Sequence, residues 1–97
     1  MLFKERIRQL RESSQIPQRV LAAALEVDTA TYCKIEKGER KAKREQIPII
    51  AEILQTDSEE LLTLWLADQV AEIVEQDKEI SDRVLRAVKQ NINKNRI

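Results

Sequence analysis

The sequence predicts an all-α fold. Only one of the 97 residues is Gly, two are Pro, and aromatic residues make up 3%, a composition that favours helices over strands and turns. Hydrophobic residues make up 42% of the chain, and along most of it they recur every three to four residues, as on one face of a helix. At this length we expect a single small hydrophobic core, too small to surround a large catalytic cleft.

The residue types present argue against an enzyme. The chain has no His and a single Cys, Cys33, so nucleophilic dyads and zinc sites lack their usual groups. The glutamates between residues 39 and 82 are accompanied by no nucleophile or phosphate-binding loop, and a solvated helix surface explains them better than a catalytic pair. We expect no cofactor and no metal.

No stretch predicts a membrane segment or a signal peptide. The first residues mix charged and apolar side chains, and no apolar run approaches the ~20 residues that a membrane helix needs. We therefore expect a cytoplasmic protein without a membrane partner.

The first two helices are predicted by their apolar faces. The first face consists of Leu2, Phe3, Ile7 and Leu10, and the helix is expected to end at residues 13–15. A second helix is expected over 17–25, because Pro17 is tolerated in a first helical turn, where its missing N–H would have no partner. Its apolar face consists of Val20, Leu21, Ala24 and Leu25.

A third helix is predicted to begin at Thr29 and to end at the only glycine. Asp28 is a favourable N-cap, and Gly38 suits the left-handed position that follows a helix. Tyr32 and Ile35 are expected to point inward, which leaves a polar and basic outer face. Because a joint of about three residues separates it from the second helix, the pair has a helix-turn-helix layout.

Three more helices are expected after the basic loop 39–43. The fourth begins near residue 44 or 45, because Pro48 is tolerated only among the first four residues of a helix. The fifth follows a cap at residues 56–58 and continues to about Gln76. Residues 77–79 interrupt the pattern weakly, and a last helix is expected from Ile80.

Charge is segregated along a chain whose formal net charge is zero. Residues 1–45 contain eleven Lys and Arg against seven Asp and Glu, whereas residues 46–82 contain one Lys against ten acids. Residues 83–97 contain five bases and no acid. The zero net charge therefore results from cancellation between basic and acidic regions. The densest basic run, residues 34–44, is either a solvated face or a binding surface for an anionic partner.

Residues 18–38 resemble the helix-turn-helix core of the lambda-repressor-like, or XRE, family of transcription regulators. The matching positions are Gln18, Leu21-Ala22, Leu25, Val27 and Lys34-Ile35-Glu36-Lys37-Gly38. The resemblance covers about residues 1–66 and implies a five-helix DNA-binding domain, with residues 67–97 as a helical C-terminal extension. One position departs from the family pattern: Glu26 occupies the place in the joint where the family usually has glycine. Glu26 either adopts a positive φ at some conformational cost or builds the joint with ordinary angles.

The resemblance implies that the third helix enters the major groove of DNA. Its expected base contacts are Thr29, Ala30, Cys33 and Lys34, joined by Gln18, which contacts a base or a phosphate. The alternatives are that Thr29 and Ala30 form an ordinary exposed first turn and that Cys33 is a small neutral filler. A redox role for Cys33 would require a lowered thiol pKa.

Phosphate contacts are expected from cations beside the recognition helix: Arg19, Lys37, Arg40, Lys41, Lys43 and Arg44. Arg44 occupies the position from which relatives direct an Arg toward the minor groove.

Arg11 and Glu36 occupy positions that pair in some relatives, so they are either an ion pair between the first and third helices or two independent surface charges.

The last two helices carry more apolar side chains than one small core can bury. We expect a homodimer through Leu64, Trp65, Val70, Ile73, Val84 and Val88, which would place two recognition helices about one DNA turn apart on a palindromic operator. Alternatively, the last helix folds back and completes the monomer. The function expected is that of a homodimeric repressor; the alternative is an antitoxin or adaptor whose fifth and sixth helices bind a protein partner.

Overall fold

The computed structural model describes residues 1–95 as an all-α domain with a helical C-terminal extension, which confirms the predicted fold class. No strand occurs within this range. Short 3-10 segments at Arg44–Gln46 and Glu75–Ile80 precede the fourth and sixth helices. The helices are α1 Leu2–Ser13, α2 Gln18–Ala24, α3 Thr29–Lys37, α4 Ile47–Leu54, α5 Ser58–Val74 and α6 Ser81–Lys94.

One hydrophobic core joins the first five helices. α1 packs against α3, α4 and α5, and α2 packs against α3 and α4. The largest side chains that are fully buried come from every one of these helices: Ile7, Leu21, Tyr32, Ile47, Ile50 and Leu61. Since this core fixes α3 against two neighbouring helices, α1 and α2, the outer face of α3 is presented on a rigid support.

The ends of α3 follow the predicted capping chemistry. The Asp28 side chain accepts a hydrogen bond from the backbone N–H of Thr31 at 2.7 Å, and hydrogen bonding by Thr31 lowers the pKa of Asp28. Gly38 ends the helix in the left-handed conformation, with φ of +80°. The Lys4 ammonium then donates to the Lys37 carbonyl at 3.2 Å, one of the carbonyls that the helix itself leaves without a partner.

Glu26 builds the joint between α2 and α3 with a positive φ of +58°. The first of the two alternatives for this position is therefore the one observed. Gln15 and Gln55 end α1 and α4 in the same region, with φ of +56° and +54°. A non-glycine residue there carries a cost of about 1 kcal/mol.

Introducing glycine at one left-handed position, Glu26, and removing it from another, Gly38, are expected to shift stability in opposite directions. Glu26→Gly should raise the free energy of unfolding by about 0.5 kcal/mol, because relief of the backbone cost exceeds the added freedom of the unfolded chain. Gly38→Ala should lower it by about 1 kcal/mol, since its Cβ would also lie 2.9 Å from Lys4 Cδ. Urea unfolding of both variants measures these shifts, and shifts of the same sign would contradict this account.

Two apolar residues of the predicted helix faces lie outside the core. Leu2 is 52% exposed and Val20 is 37% exposed. Leu2 lies at the start of α1, where the Asp68 carboxylate of α5 accepts hydrogen bonds from the backbone N–H groups of Leu2 and Phe3 at 2.8 and 2.9 Å. This cap from a distant helix satisfies N–H groups that α1 cannot pair internally, and it holds Leu2 at the rim of the core.

α6 extends away from the core. It contacts the 3-10 segment before it, where Asp77 leaves helical geometry with φ of −125° and ψ of +49°. Within Ser81–Lys94 no side chain is buried, so the alternative in which this helix completes the monomer core is not the arrangement observed. The radius of gyration, 15.6 Å, exceeds the ~12.5 Å of a compact domain of this length.

The boundaries in the C-terminal part differ slightly from those expected. α5 ends at Val74, two residues before the predicted end, and α6 begins one residue after Ile80. α5 runs unbroken through residue 66, so the predicted regions 1–66 and 67–97 share a helix, and this division remains a prediction. Residues 96 and 97 lie outside the described residues. Among residues 1–95, no helix has both the length and the apolar character needed to cross a membrane.

Candidate nucleic-acid interface

The outer face of α3 is formed by residues at helical spacing. Positions i, i+1, i+4, i+5 and i+8 of this helix share one side of it, and they are occupied by Thr29, Ala30, Cys33, Lys34 and Lys37. Cys33 is half-buried and the other four are exposed. On the opposite side Tyr32 and Ile35 are buried in the core. The sequence-predicted base-contacting residues of α3 therefore lie together on one accessible surface.

Gln18 joins this surface from the first turn of α2. Its side chain is half-buried, and its amide Nε2 donates to Glu36 Oε1 at 3.2 Å. The hydrogen bond connects the start of α2 to the inner edge of α3. Gln18 is thus held in place by the same carboxylate that anchors α3.

Arg11 and Glu36, the two residues that the resemblance pairs, form an ion pair beneath the surface. Arg11 Nε donates to Glu36 Oε2 at 2.6 Å, and Arg11 Nη2 donates to Glu36 Oε1 at 3.0 Å. Arg11 Nη1 also donates to the Ile16 carbonyl at 3.0 Å. One guanidinium therefore ties α1 both to α3 and to the turn before α2, which fixes the relative position of the two helices of the motif.

The Glu36 carboxylate remains ionised although only 6% of the residue is exposed. Burial alone would raise its pKa, but hydrogen bonds from Arg11 and Gln18, together with the nearby Tyr32 hydroxyl, outweigh burial and lower it. The Tyr32 hydroxyl is close enough to the carboxylate to contribute to this shift, although its contact falls short of regular hydrogen-bond geometry. Burial raises the pKa of Tyr32 itself, so the phenol stays neutral.

The basic loop between α3 and α4 is anchored at both of its sides. The backbone N–H groups of Glu39 and Arg40 donate to the Lys34 carbonyl at 2.9 and 3.2 Å. On the other side, Trp65 Nε1 donates to the carbonyl of the buried Ala42 at 2.9 Å. These bonds hold the loop beside the outer face of α3.

The cations predicted to contact phosphate are exposed, one on α2 and the other five between the last residue of α3 and the start of the 3-10 segment. Their side chains lie on the surface at Arg19, Lys37, Arg40, Lys41, Lys43 and Arg44. Lys41 differs from the others, because its ammonium donates to Gln69 Oε1 at 2.6 Å and lies 5.1 Å from the centre of the Trp65 ring. It connects the loop to α5.

The residues predicted to form a dimer interface divide into two groups. Leu64 and Trp65 are partly buried and pack against the monomer core, so only the accessible part of each side chain is available to a second chain, and their place in a dimer interface stays a prediction. Val70, Ile73 and Val88 are exposed, and Val84 is half-buried. The helical period of α5 does not reveal that the indole N–H of Trp65 bonds the loop at Ala42.

Sequence reasoning missed the contacts that join α5 to distant segments. Asp68 caps α1, Gln69 holds Lys41, and Trp65 holds Ala42, across separations of 23 to 66 residues. Of these three residues only Trp65 indicates such a contact in the sequence, because a partly buried indole N–H requires a hydrogen-bond acceptor. The acceptor itself could not be read from the sequence.

The sequence of these elements matches the model of a known domain family. The family model described as a helix-turn-helix domain matches residues 3–64, which is well over half of the chain. Neither the curated proteins nor the solved structures include a significant match. The matched range contains α1 to α4, the anchored basic loop and the first part of α5. The chain therefore belongs to the helix-turn-helix domain family, a membership that supports DNA binding.

Proposed function

We propose that this protein is a sequence-specific transcriptional regulator of the lambda-repressor-like class, which acts as a homodimeric repressor. The observation that carries the proposal is the accessible face of α3, flanked by a basic loop that is fixed to the core. An exposed helix of this width fits the major groove of B-DNA, and cations on both sides of such a helix bind the phosphates that border the groove.

The proposed base contacts come from α3 and the first residue of α2. Lys34 donates to guanine O6 and N7, and Thr29 and Ala30 contact thymine methyl groups. Cys33 and Gln18 complete the surface, and the bond from Gln18 to Glu36 limits the rotamers that the amide can use.

The proposed phosphate contacts come from six cations, Arg19 on α2 and five in or beside the loop. Arg19, Lys37, Arg40, Lys43 and Arg44 are exposed, and they provide most of the electrostatic attraction. Lys41 contributes less, because moving toward a phosphate would break its bond with Gln69. Arg44 lies where a side chain could enter the minor groove.

The proposed dimer rests on the exposed apolar side chains of α5 and α6, among them Val70, Ile73 and Val88. A two-fold axis between two chains would present two copies of α3 to one side of the DNA, about 34 Å apart, and would match a palindromic operator.

A second candidate is supported by the same apolar surface. An antitoxin or adaptor would cover α5 and α6 with a different protein. Purification of the protein distinguishes the two candidates. The second predicts that a stable protein partner co-purifies and that the chain alone binds DNA weakly.

The salt dependence of DNA affinity tests the proposed interface. We expect the logarithm of the association constant to fall steeply with the logarithm of salt concentration, by ~0.9 for each phosphate contacted. Arg40→Ala removes one contact from each protomer and should reduce this slope by about two for the bound dimer. Arg86→Ala, an equally exposed arginine on α6, is the matched control and should leave the slope unchanged. Fluorescence anisotropy with a labelled duplex measures both, and equal slopes in the two variants would contradict the proposed interface.

A further inference from the structure

A cleft of about 460 Å³ lies between α1 and α3, beside the outer face of α3. On the α3 side it is lined by Cys33 and Lys37, two residues of that face, and Gln18 lines it from the start of α2. On the α1 side it is lined by Lys4 and Arg8. The cleft therefore joins the proposed DNA-binding surface to a helix, α1, that lies outside that surface.

The bases of α1 are concentrated on the side that lines this cleft. Lys4, Arg8 and Arg11 are spaced by four and three residues, so they share one side of the helix. Together with a lysine of α3 they place four bases around the cleft, against the two acids Glu5 and Glu36. The cleft therefore has a net positive charge, which favours an anionic occupant.

Two of the three bases hold α1 against α3. Arg11 is bound to the buried Glu36 carboxylate at 2.6 and 3.0 Å, so these two charges neutralise each other. The Lys4 ammonium donates to the Lys37 carbonyl at 3.2 Å. These bonds fix α1 beside the outer face of α3, and they leave Arg8 as the base of this side that is available to a ligand.

Arg8 is held only weakly within its own chain. Its Nε lies 3.5 Å from Glu12 Oε1, one turn further along α1, and the two side chains are 63% and 56% exposed. An ion pair this accessible to water contributes little to stability, because solvent screens it. Glu5, the exposed acid of the cleft, lies 3.9 Å from the N-terminal ammonium of Met1. The Arg8 guanidinium can therefore turn to another anion without breaking a contact of the fold.

We propose that Arg8 binds a phosphate of the DNA backbone at the edge of the major groove that α3 enters. An α-helix with its side chains nearly fills the width of this groove, about 12 Å, so groups beside the outer face of α3 meet the phosphates that border it. The planar guanidinium donates two parallel hydrogen bonds to phosphate oxygens. This inference rests on the proposed function and adds to its DNA interface a contact from α1, outside the helix-turn-helix pair.

The salt dependence of affinity for a random-sequence duplex tests this contact. Arg8→Ala should reduce the slope by as much as Arg40→Ala, because each removes one phosphate contact from each protomer. Arg8→Lys keeps the charge and should keep the slope. Arg6→Ala is the matched control on the same helix and should leave the slope unchanged, since the Arg6 guanidinium faces α5, where it donates to Glu60 at 3.0 Å.

Ethylation of single phosphates in a preferred duplex locates the contact. An ethylated phosphate is uncharged, so it weakens binding wherever the protein contacts that phosphate. With Arg8→Ala, ethylation at one phosphate in each half-site should cease to weaken binding. With Arg40→Ala this should happen at a different phosphate. The same phosphate for both variants, or an unchanged pattern for Arg8→Ala, overturns the proposed contact.

The outcomes separate this inference from the proposed function. A slope that Arg40→Ala reduces and Arg8→Ala does not overturns the α1 contact but leaves the DNA interface. A slope that Arg8→Lys or Arg6→Ala reduces as much as Arg8→Ala also overturns the contact. A folded protein that binds no duplex overturns both proposals. Because Arg8 is exposed, urea unfolding of Arg8→Ala should match that of the unchanged protein, so a reduced slope reports a lost DNA contact.

Discussion

Replacing Glu36 with alanine is expected to destabilise the protein by about 3 kcal/mol. The substitution removes the carboxylate that accepts two hydrogen bonds from Arg11, and it leaves a guanidinium whose side chain is only 14% exposed without its counter-charge. Breaking a buried ion pair from one side costs about 3–5 kcal/mol, because the remaining charge stays poorly solvated. Urea unfolding followed by circular dichroism measures the loss.

An exposed ion pair between the same kinds of residue provides the control. Arg6 Nε lies 3.0 Å from Glu60 Oε1, with both side chains substantially accessible to solvent. Glu60→Ala should therefore cost at most about 0.5 kcal/mol. Replacing both buried partners, as Arg11→Met with Glu36→Leu, should recover most of the loss, since no buried charge is left unpaired. Equal losses for Glu36→Ala and Glu60→Ala would show that burial of the first pair does not matter.

The lowered pKa of Glu36 predicts how this stability depends on pH. A carboxyl group whose pKa is lower in the folded protein contributes its full stabilisation above its unfolded pKa, close to 4.5. That contribution is lost as the pH falls through the lower, folded value. Glu36→Gln should remove this part of the acid sensitivity. Stability profiles of the two proteins that remain parallel below pH 4.5 would contradict the assignment.

Lys34→Ala is expected to change which DNA sequence is preferred, with a loss of about 2 kcal/mol on the best site, or roughly 30-fold in affinity. The side chain is exposed on the outer face of α3, and truncation leaves intact the backbone carbonyl that anchors Glu39 and Arg40. A bidentate contact with guanine discriminates against other bases, so the loss should be largest on sites that contain that guanine and small on random sequence.

Arg40→Ala is the matched control for this prediction. Arg40 lies in the basic loop next to α3 and is proposed to contact phosphate, so its loss should weaken binding to all sequences by a similar factor. Anisotropy titrations against the preferred site, a site mutated at one base pair, and a random duplex separate the two patterns. The same uniform loss for Lys34→Ala and Arg40→Ala would refute the division between base and phosphate contacts.

The sequence predicted the parts of the fold that depend on neighbouring residues. The boundaries of α3 followed from Asp28 and Gly38, because capping is decided within one helical turn. The grouping of Thr29, Ala30, Cys33 and Lys34 on one face followed from helical spacing alone. Local chemistry was therefore sufficient to locate the candidate recognition surface.

The remaining features depend on contacts between distant segments. The cap of α1 by Asp68 and the bond from Trp65 to Ala42 join residues that carry no shared local pattern. For this reason the sequence predicts Trp65 only as an apolar residue of α5 and does not predict that it supports the loop within its own chain. The sequence shows an excess of apolar residues on α5, but only the folded arrangement separates the partly buried Leu64 and Trp65 from the exposed Val70 and Ile73.

Selection of bound sequences from a random DNA pool, at near-physiological salt, tests most directly the claim that a two-fold dimer reads DNA through α3. We expect enrichment of two inverted half-sites whose centres lie about 10 base pairs, one turn of DNA, apart. Selection with the Lys34→Ala variant should change one base position in each half-site. A pool that stays unenriched with a folded protein, or an enriched motif without inverted repeats that Lys34→Ala leaves unchanged, would contradict the account.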